Sequence, residues 1–291
     1  MKDYLVKSTV YNGMVRAYAI QTTHLVEEAR QKQDTWATAS AALGRTLTIT
    51  AMMGAMLKGE DTITTKVEGS GPIGAIVCDA NAKGEVRGYV HHPHVDLPSN
   101  EHGKLDVRGV VGTEGTLSVV KDLGLKDYFT GQTPIVSGEI SEDFTYYFAT
   151  SEQTPSAVGA GVLVDTDYSI KAAGGFIIQL MPGATEEVIT KLEAALESLP
   201  AISSLIEQGL TPEEILERLF PGEDITMYEK EEVVFKCQCS KERILNAIKG
   251  LGREEVESMI EEDKGAEAVC HFCNDQYIVS EDELKDLLNM M

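Results

Sequence analysis

Apolar positions along the chain alternate between strand-like and helical spacing, and the changes of rhythm divide it into elements. From Tyr4 to Ile20, short apolar runs flank Asn12-Gly13, the favoured pair for a tight turn, and predict a β-hairpin. Helical spacing follows from about His24 to Gln33. A second helix is expected from Asp34 to Lys58, with Gly59 as its stop. That helix is rich in Ala, Thr and Met, which suits close packing against a sheet rather than a catalytic face. Residues 62–68 and 73–78 predict another hairpin. The stretch from Gly103 to Val164 is Gly-rich and strand-like, with runs at Leu105–Val107, Val110–Gly112, Thr116–Val120 and Thr133–Val136. One short helix is expected over Asp143–Thr150, and Leu163–Leu180 supplies the last strands.

Past Met181-Pro182-Gly183 the pattern becomes helical. Thr185–Leu199 places Val188, Ile189, Leu192, Ala195, Leu196 and Leu199 on one face, with Glu186 and Glu187 at the end where the helix dipole favours acids. Thr211-Pro-Glu-Glu214 is a capping box with Pro at the first helical position, and it opens a helix whose apolar face is Ile215, Leu216, Leu219 and Phe220. On spacing alone these are an ordinary pair of domain-packing helices. In the tail, Ser240 should cap Lys241–Lys249, a second helix lies near Arg253–Glu262, and Ser280 with Glu283 boxes the final helix. The organisation expected is α+β, with a core at 1–182, a helical linker at 183–229 and a small domain at 230–291. The last has few apolar residues for its length. Domains that small bury proportionally little surface and often need a metal.

Candidate chemistry concentrates in that tail. Cys237 and Cys239 form C-x-C, Cys270 and Cys273 form C-x-x-C, and thirty residues separate the pairs. Each pair sits where a short β-type run meets a polar turn. Together they offer the four sulfurs of a closed tetrahedral Zn²⁺ site, one ion per chain. His271 competes as a ligand, but the flanking sulfurs are preferred. Structural disulfides would need an oxidising compartment. The start Met1–Lys7 has no apolar core of a signal peptide, so a cytoplasmic setting with reduced thiols is expected.

Other motifs weaken on inspection. Gly69-Ser-Gly71-Pro-Ile-Gly74 matches G-x-G-x-x-G, yet Pro72 and the apolar run after it continue as a strand, whereas a dinucleotide loop must open a helix. In His91-His92-Pro93-His94 the H-x-H offers two imidazoles, but Pro93 breaks the geometry and no nearby Cys or acidic pair completes a set, so it reads as a loop cluster. Cys78 lies inside an apolar run and reads as a buried small hydrophobe. Glu139, Asp143 and Glu152 are candidate paired carboxylates without an assignable role, and no G-x-S-x-G nucleophile motif occurs. The net charge of −22 argues against nucleic acid as a partner, and no apolar run reaches the length needed to cross a bilayer.

Gly103–Val107, Val120–Gly124, Tyr128–Gly131, Ser137–Ile140, Asp143–Tyr147 and Ser151–Ser156, followed by the C-x-C and C-x-x-C pairs, resemble the 33-kDa heat-shock protein family of redox-regulated chaperones. The likeness covers nearly the whole chain. It implies an N-terminal domain of crossed β-sheets with packed helices, a metastable switch at 183–229, and a holdase that is not an enzyme and uses no nucleotide. It also implies that Cys237, Cys239, Cys270 and Cys273 hold zinc in the resting state and release it on oxidation. Unfolding proteins would be the partners, and a homodimer is open, above all in the activated form. Loop-closure entropy favours near neighbours on oxidation, Cys237 with Cys239 and Cys270 with Cys273. The C-x-C disulfide would be strained, because an extended chain sets its Cα atoms roughly 7 Å apart.

Overall fold

A computed structural model describes residues 2–291 and divides them into two compact units, the first ending at Lys236 and the second spanning Cys237–Met291. In the first, β1 (Tyr4–Val10) and β2 (Val15–Gln21) form the expected hairpin. Its turn residues Tyr11, Asn12 and Gly13 all adopt positive φ. Next come α1 (Thr23–Gln33), α2 (Ala37–Gly54), β3 (Thr62–Gly69), β4 (Ala75–Asn81) and β5 (Glu85–Val90). Then follow α3 (Val107–Val111), β6 (Gly115–Asp122), β7 (Phe129–Pro134), α4 (Ser141–Thr150), β8 (Ser156–Val164) and β9 (Ile170–Leu180). The runs 105–107 and 110–112, expected as strands, instead meet in α3. Asp106 caps it by accepting the Gly109 N–H at 2.8 Å, a local side-chain bond that outweighs the β-leaning valines.

Helices α5 (Glu186–Ser198), α6 (Ile202–Glu207) and α7 (Pro212–Leu219) precede the short strands β10 (Ile225–Met227), β11 (Glu231–Glu232) and β12 (Val234–Phe235). One sheet has the order β10-β1-β2-β9-β8, with β11 also on β1. The other runs β12-β5-β4-β3-β6-β7, antiparallel except where β12 joins β5.

Helix α2 lies between the sheets and packs on β4 and β5 of one and on β8 and β9 of the other. Every residue in it but Arg45 is buried. Its small side chains are what permit this: a Cβ on Gly44 would lie 2.6 Å from Val26 and 2.8 Å from Val162. The threonines sit in this core without stranding their hydroxyls. Thr46 donates to the Ala42 carbonyl, Thr50 to that of Thr46, and Thr48 shares a hydrogen bond with Thr22.

On the far face of the β1-β2-β9 sheet, Val6, Val15, Ala17, Ala19, Phe176 and Ile178 form one apolar cluster with residues of α5, α6 and α7. Val188, Leu192, Leu205, Ile215, Leu216 and Phe220 come from the helical side. The Thr211 box forms as expected, with Thr211 Oγ1 accepting the Glu214 N–H and Glu214 accepting the Thr211 N–H. The stretch 183–229 therefore covers an apolar sheet face.

The second unit contains α8 (Lys241–Leu251), α9 (Arg253–Ser258), a π turn at Met259–Asp263, the hairpin β13 (Gly265–Val269) and β14 (Gln276–Ser280), and α10 (Glu281–Asn289). Ser240 and Ser280 cap α8 and α10 as expected. Its apolar cluster of buried residues is small: Ile248, Val256, Val279, Leu284 and Leu287.

Asp3 is the odd group in the first unit. It is 4% exposed, its Oδ2 accepts the Leu25 N–H at 2.7 Å near the start of α1, and Oδ1 is buried without a partner. Burial raises its carboxyl to about 6, against the lowering pull of the Leu25 hydrogen bond. The folded state then holds a proton that the unfolded state has lost between pH 4 and 6, so this group's contribution to stability falls as pH rises through that window. Asp3→Asn should flatten that fall by up to roughly 3 kcal/mol. Urea unfolding followed by the single tryptophan, Trp36 in the first unit, measures it at each pH.

Candidate metal centre

The second unit brings its four cysteines together from two places in the chain. Cys237 and Cys239 lie in the stretch before α8, which Ser240 holds as N-cap by accepting the Arg243 N–H. Cys270 and Cys273 lie in the turn joining β13 to β14. There the Asn274 N–H reaches the Cys270 carbonyl at 2.8 Å, and Asn274 turns through positive φ. All four Sγ atoms fall within 4.8 Å of one another. Two of the gaps cross between the pairs, 3.6 Å from Cys237 to Cys270 and 3.3 Å from Cys239 to Cys273. A tetrahedral ion at a zinc–sulfur distance of about 2.3 Å sets its sulfurs about 3.8 Å apart, so the set fits a metal. Cys273 is buried and the other three are half-buried.

Electrostatics within the cluster are uneven. Burial pushes the Cys237 thiol up, but the Cys239 backbone N–H and the neighbouring sulfurs outweigh it and bring Cys237 down to about 7. Cys273 goes the other way, raised by burial and then by the adjacent sulfurs. Four thiols this close cannot all ionise without a cation. A divalent ion among the four sulfurs would supply the compensating charge.

The remaining sequence candidates do other work. His271 is exposed and outside the set. Asp143 is fully buried and its carboxylate accepts the N–H groups of Val136, Ser137, Gly138 and Ile140, fixing the loop before α4. Glu139 pairs with Arg45, while Glu152 takes Lys121 and the Tyr147 hydroxyl, so the three carboxylates serve separate contacts. His94 pairs with Asp34 and packs on Trp36. Gly69 and Gly71 lie against α3, where a Cβ would come within 2.0 Å of the Val111 oxygen and 2.3 Å of the Val110 oxygen. These glycines serve backbone packing, and β4 follows them as a strand. Cys78 is fully buried, and burial raises its thiol. Among the described residues, the four tail cysteines are the group able to hold a metal ion.

One residue that the sequence pattern treats as part of a strand belongs to the site. Tyr277, in β14, donates its phenolic O–H to Cys239 Sγ at 3.1 Å. Its position four residues past Cys273 is visible in the sequence, but its partner on the other turn is not.

Comparison with known proteins gives the same picture over the whole chain. Residues 3–280 match the family described as Hsp33 protein. A 33 kDa chaperonin of Oceanobacillus iheyensis is 67% identical over 99% of each chain. One of Staphylococcus aureus strain Newman is 60% identical over 99% of each chain. The crystal structure of the 33 kDa chaperonin from Thermotoga maritima superposes with a TM-score of 0.93 at 40% identity, covering 100% of this chain and 99% of that one. The α+β architecture with a four-cysteine tail is that of the relative of known structure, and the chain belongs to the Hsp33 family, a family of chaperones and not of enzymes.

Proposed function

We propose that the protein is a redox-regulated, ATP-independent holdase, resting while reduced and zinc-bound, and binding unfolding proteins once its tail cysteines are oxidised. The observation that carries this reading is the four-sulfur cluster, set in a unit whose buried apolar cluster is small. Structural zinc contributes roughly 10–16 kcal/mol of apparent binding energy in small modules, and that energy is folding energy. Cys237, Cys239, Cys270 and Cys273 would hold the ion, which supplies the positive charge that keeps four thiolates together.

Oxidation by a peroxide removes those ligands. A thiolate sulfur attacks a peroxide oxygen, the O–O bond breaks and hydroxide leaves, giving a sulfenic acid. A second thiolate then attacks that sulfur, forming the S–S bond and expelling a second hydroxide; each hydroxide takes up a proton to become water. Once the metal is lost and the tail opens, loop-closure entropy favours neighbour pairing, Cys237 with Cys239 and Cys270 with Cys273.

With the tail at 230–291 unfolded, the linker at 183–229 is released from the N-terminal core at 1–182, and the apolar sheet face it covers is the surface offered to clients. Unfolding proteins in the cytoplasm are the partners, and pairing of two activated chains belongs to the same reading. An oxidoreductase role for Cys270 and Cys273 is disfavoured, because they sit in a hairpin turn and not at the start of a helix.

Heat-denaturing client protein, followed by light scattering, tests the whole proposal. The peroxide-treated chain should suppress aggregation and the reduced zinc-bound chain should not; equal activity in both states overturns it. The reduced chain should also bind one zinc with sulfur ligands alone, and Cys78→Ser should leave that ratio at one. X-ray absorption showing nitrogen in the first shell would contradict the ligand set. Peptide mapping of the oxidised chain should recover the two neighbour disulfides, with Cys237–Cys270 or Cys239–Cys273 as the contrary result.

A further inference from the structure

The donors around the sulfurs differ in kind. Cys237 receives a hydrogen bond from the Cys239 backbone N–H, and Cys273 receives one from the Asp275 backbone N–H. Those donors come with the local turn that carries each thiol. Cys239 instead receives the Tyr277 O–H, a side-chain donor from the opposite pair's hairpin, at 3.1 Å. Tyr277 is held by the β13–β14 ladder, opposite Ala268, so the phenol is aimed by backbone pairing. Its half-buried ring places a polar tip at the cluster.

We infer that Tyr277 is a positioning residue for Cys239, fixing the direction of its sulfur and tuning how firmly the centre keeps its metal. The inference rests on the metal-centre reading above. A donated hydrogen bond draws on a sulfur lone pair and spreads the thiolate's negative charge, which makes that sulfur a slower nucleophile. It also limits the orientations open to Cys239 while the C-x-C turn closes on the hairpin. Outer-shell partners of this kind are worth about 10–100-fold in metal affinity. Of the four sulfurs, Cys239 would then be shielded while Tyr277 is in place, and exposed to attack first when the hydroxyl is removed.

Tyr277→Phe deletes one oxygen and keeps the ring, so the small core of Val279 and Leu284 is untouched. The full reduced chain is loaded with cobalt(II), whose sulfur-to-metal charge-transfer band reports the electron density on the thiolates. The Phe chain should show that band at lower energy. Its cobalt should pass to a competing chelator at about tenfold lower chelator concentration. With iodoacetamide, which forms a sulfur–carbon bond as iodide leaves, Cys239 should rise in the order of alkylation. Ile278→Ala, at an exposed position on the same strand, should change none of these.

A band and chelator midpoint identical to wild type overturn the inference, and so does an Ile278→Ala chain that shifts as far as Tyr277→Phe. Should the Phe chain take no cobalt at all, hydrogen exchange over Gly265–Ser280 decides. Protected hairpin amides without metal support the positioning role, and unprotected ones overturn it in favour of a purely structural role. Failure of the wild-type chain to take cobalt on sulfur alone would instead sink the metal-centre reading, so the two are told apart.

Discussion

The second unit rests on the meeting of four sulfurs contributed by two turns far apart in sequence. Its own apolar cluster, built on Val256, Val279 and Leu284, is too small to be the main source of stability in a segment this long. Capped helices and a two-stranded hairpin contribute local order, but a lone hairpin is marginal in water. What joins the C-x-C stretch to the β13–β14 turn is the sulfur cluster, with the Tyr277–Cys239 hydrogen bond beside it. Thiolates repel one another at these distances, so the arrangement that folds the unit becomes costly once a compensating cation is lost. On the function proposed above, stability and redox sensitivity reside in the same four atoms.

The first unit solves a different problem. Its central helix is buried against two sheets, which demands small side chains and hydroxyls that bond back to the helix itself. One sheet then has a second apolar face to cover, and α5, α6 and α7 cover it. These helices are short and amphipathic, and isolated helices of their length are unstable in water. Their order depends on the sheet they cover, and the sheet face stays dry because they are there.

Much of this was legible in the residues. The Asn12-Gly13 turn, the Thr211 and Ser280 capping boxes and the Ser240 cap are local devices whose chemistry acts within a few residues, and each stands where expected. The C-x-C and C-x-x-C pairs likewise declare two sulfur-bearing turns. Local reasoning misread 105–112, where β-leaning valines gave way to an Asp106-capped helix, and it gave no sign of α6 or of β10 and β11 on the edge of the first sheet.

Sequence by itself therefore determined the caps, the turns, the amphipathic faces and the identity of the four thiols, because each depends on contacts a few residues apart. Tertiary structure decided which face of which sheet α5–α7 cover, that Glu139, Asp143 and Glu152 never meet as a group, and that Cys237 comes to lie beside Cys270 and Cys239 beside Cys273. It also decided that a tyrosine of β14 reaches Cys239. These are contacts between residues far apart in the chain, fixed by strand register and by packing that no short stretch of residues contains.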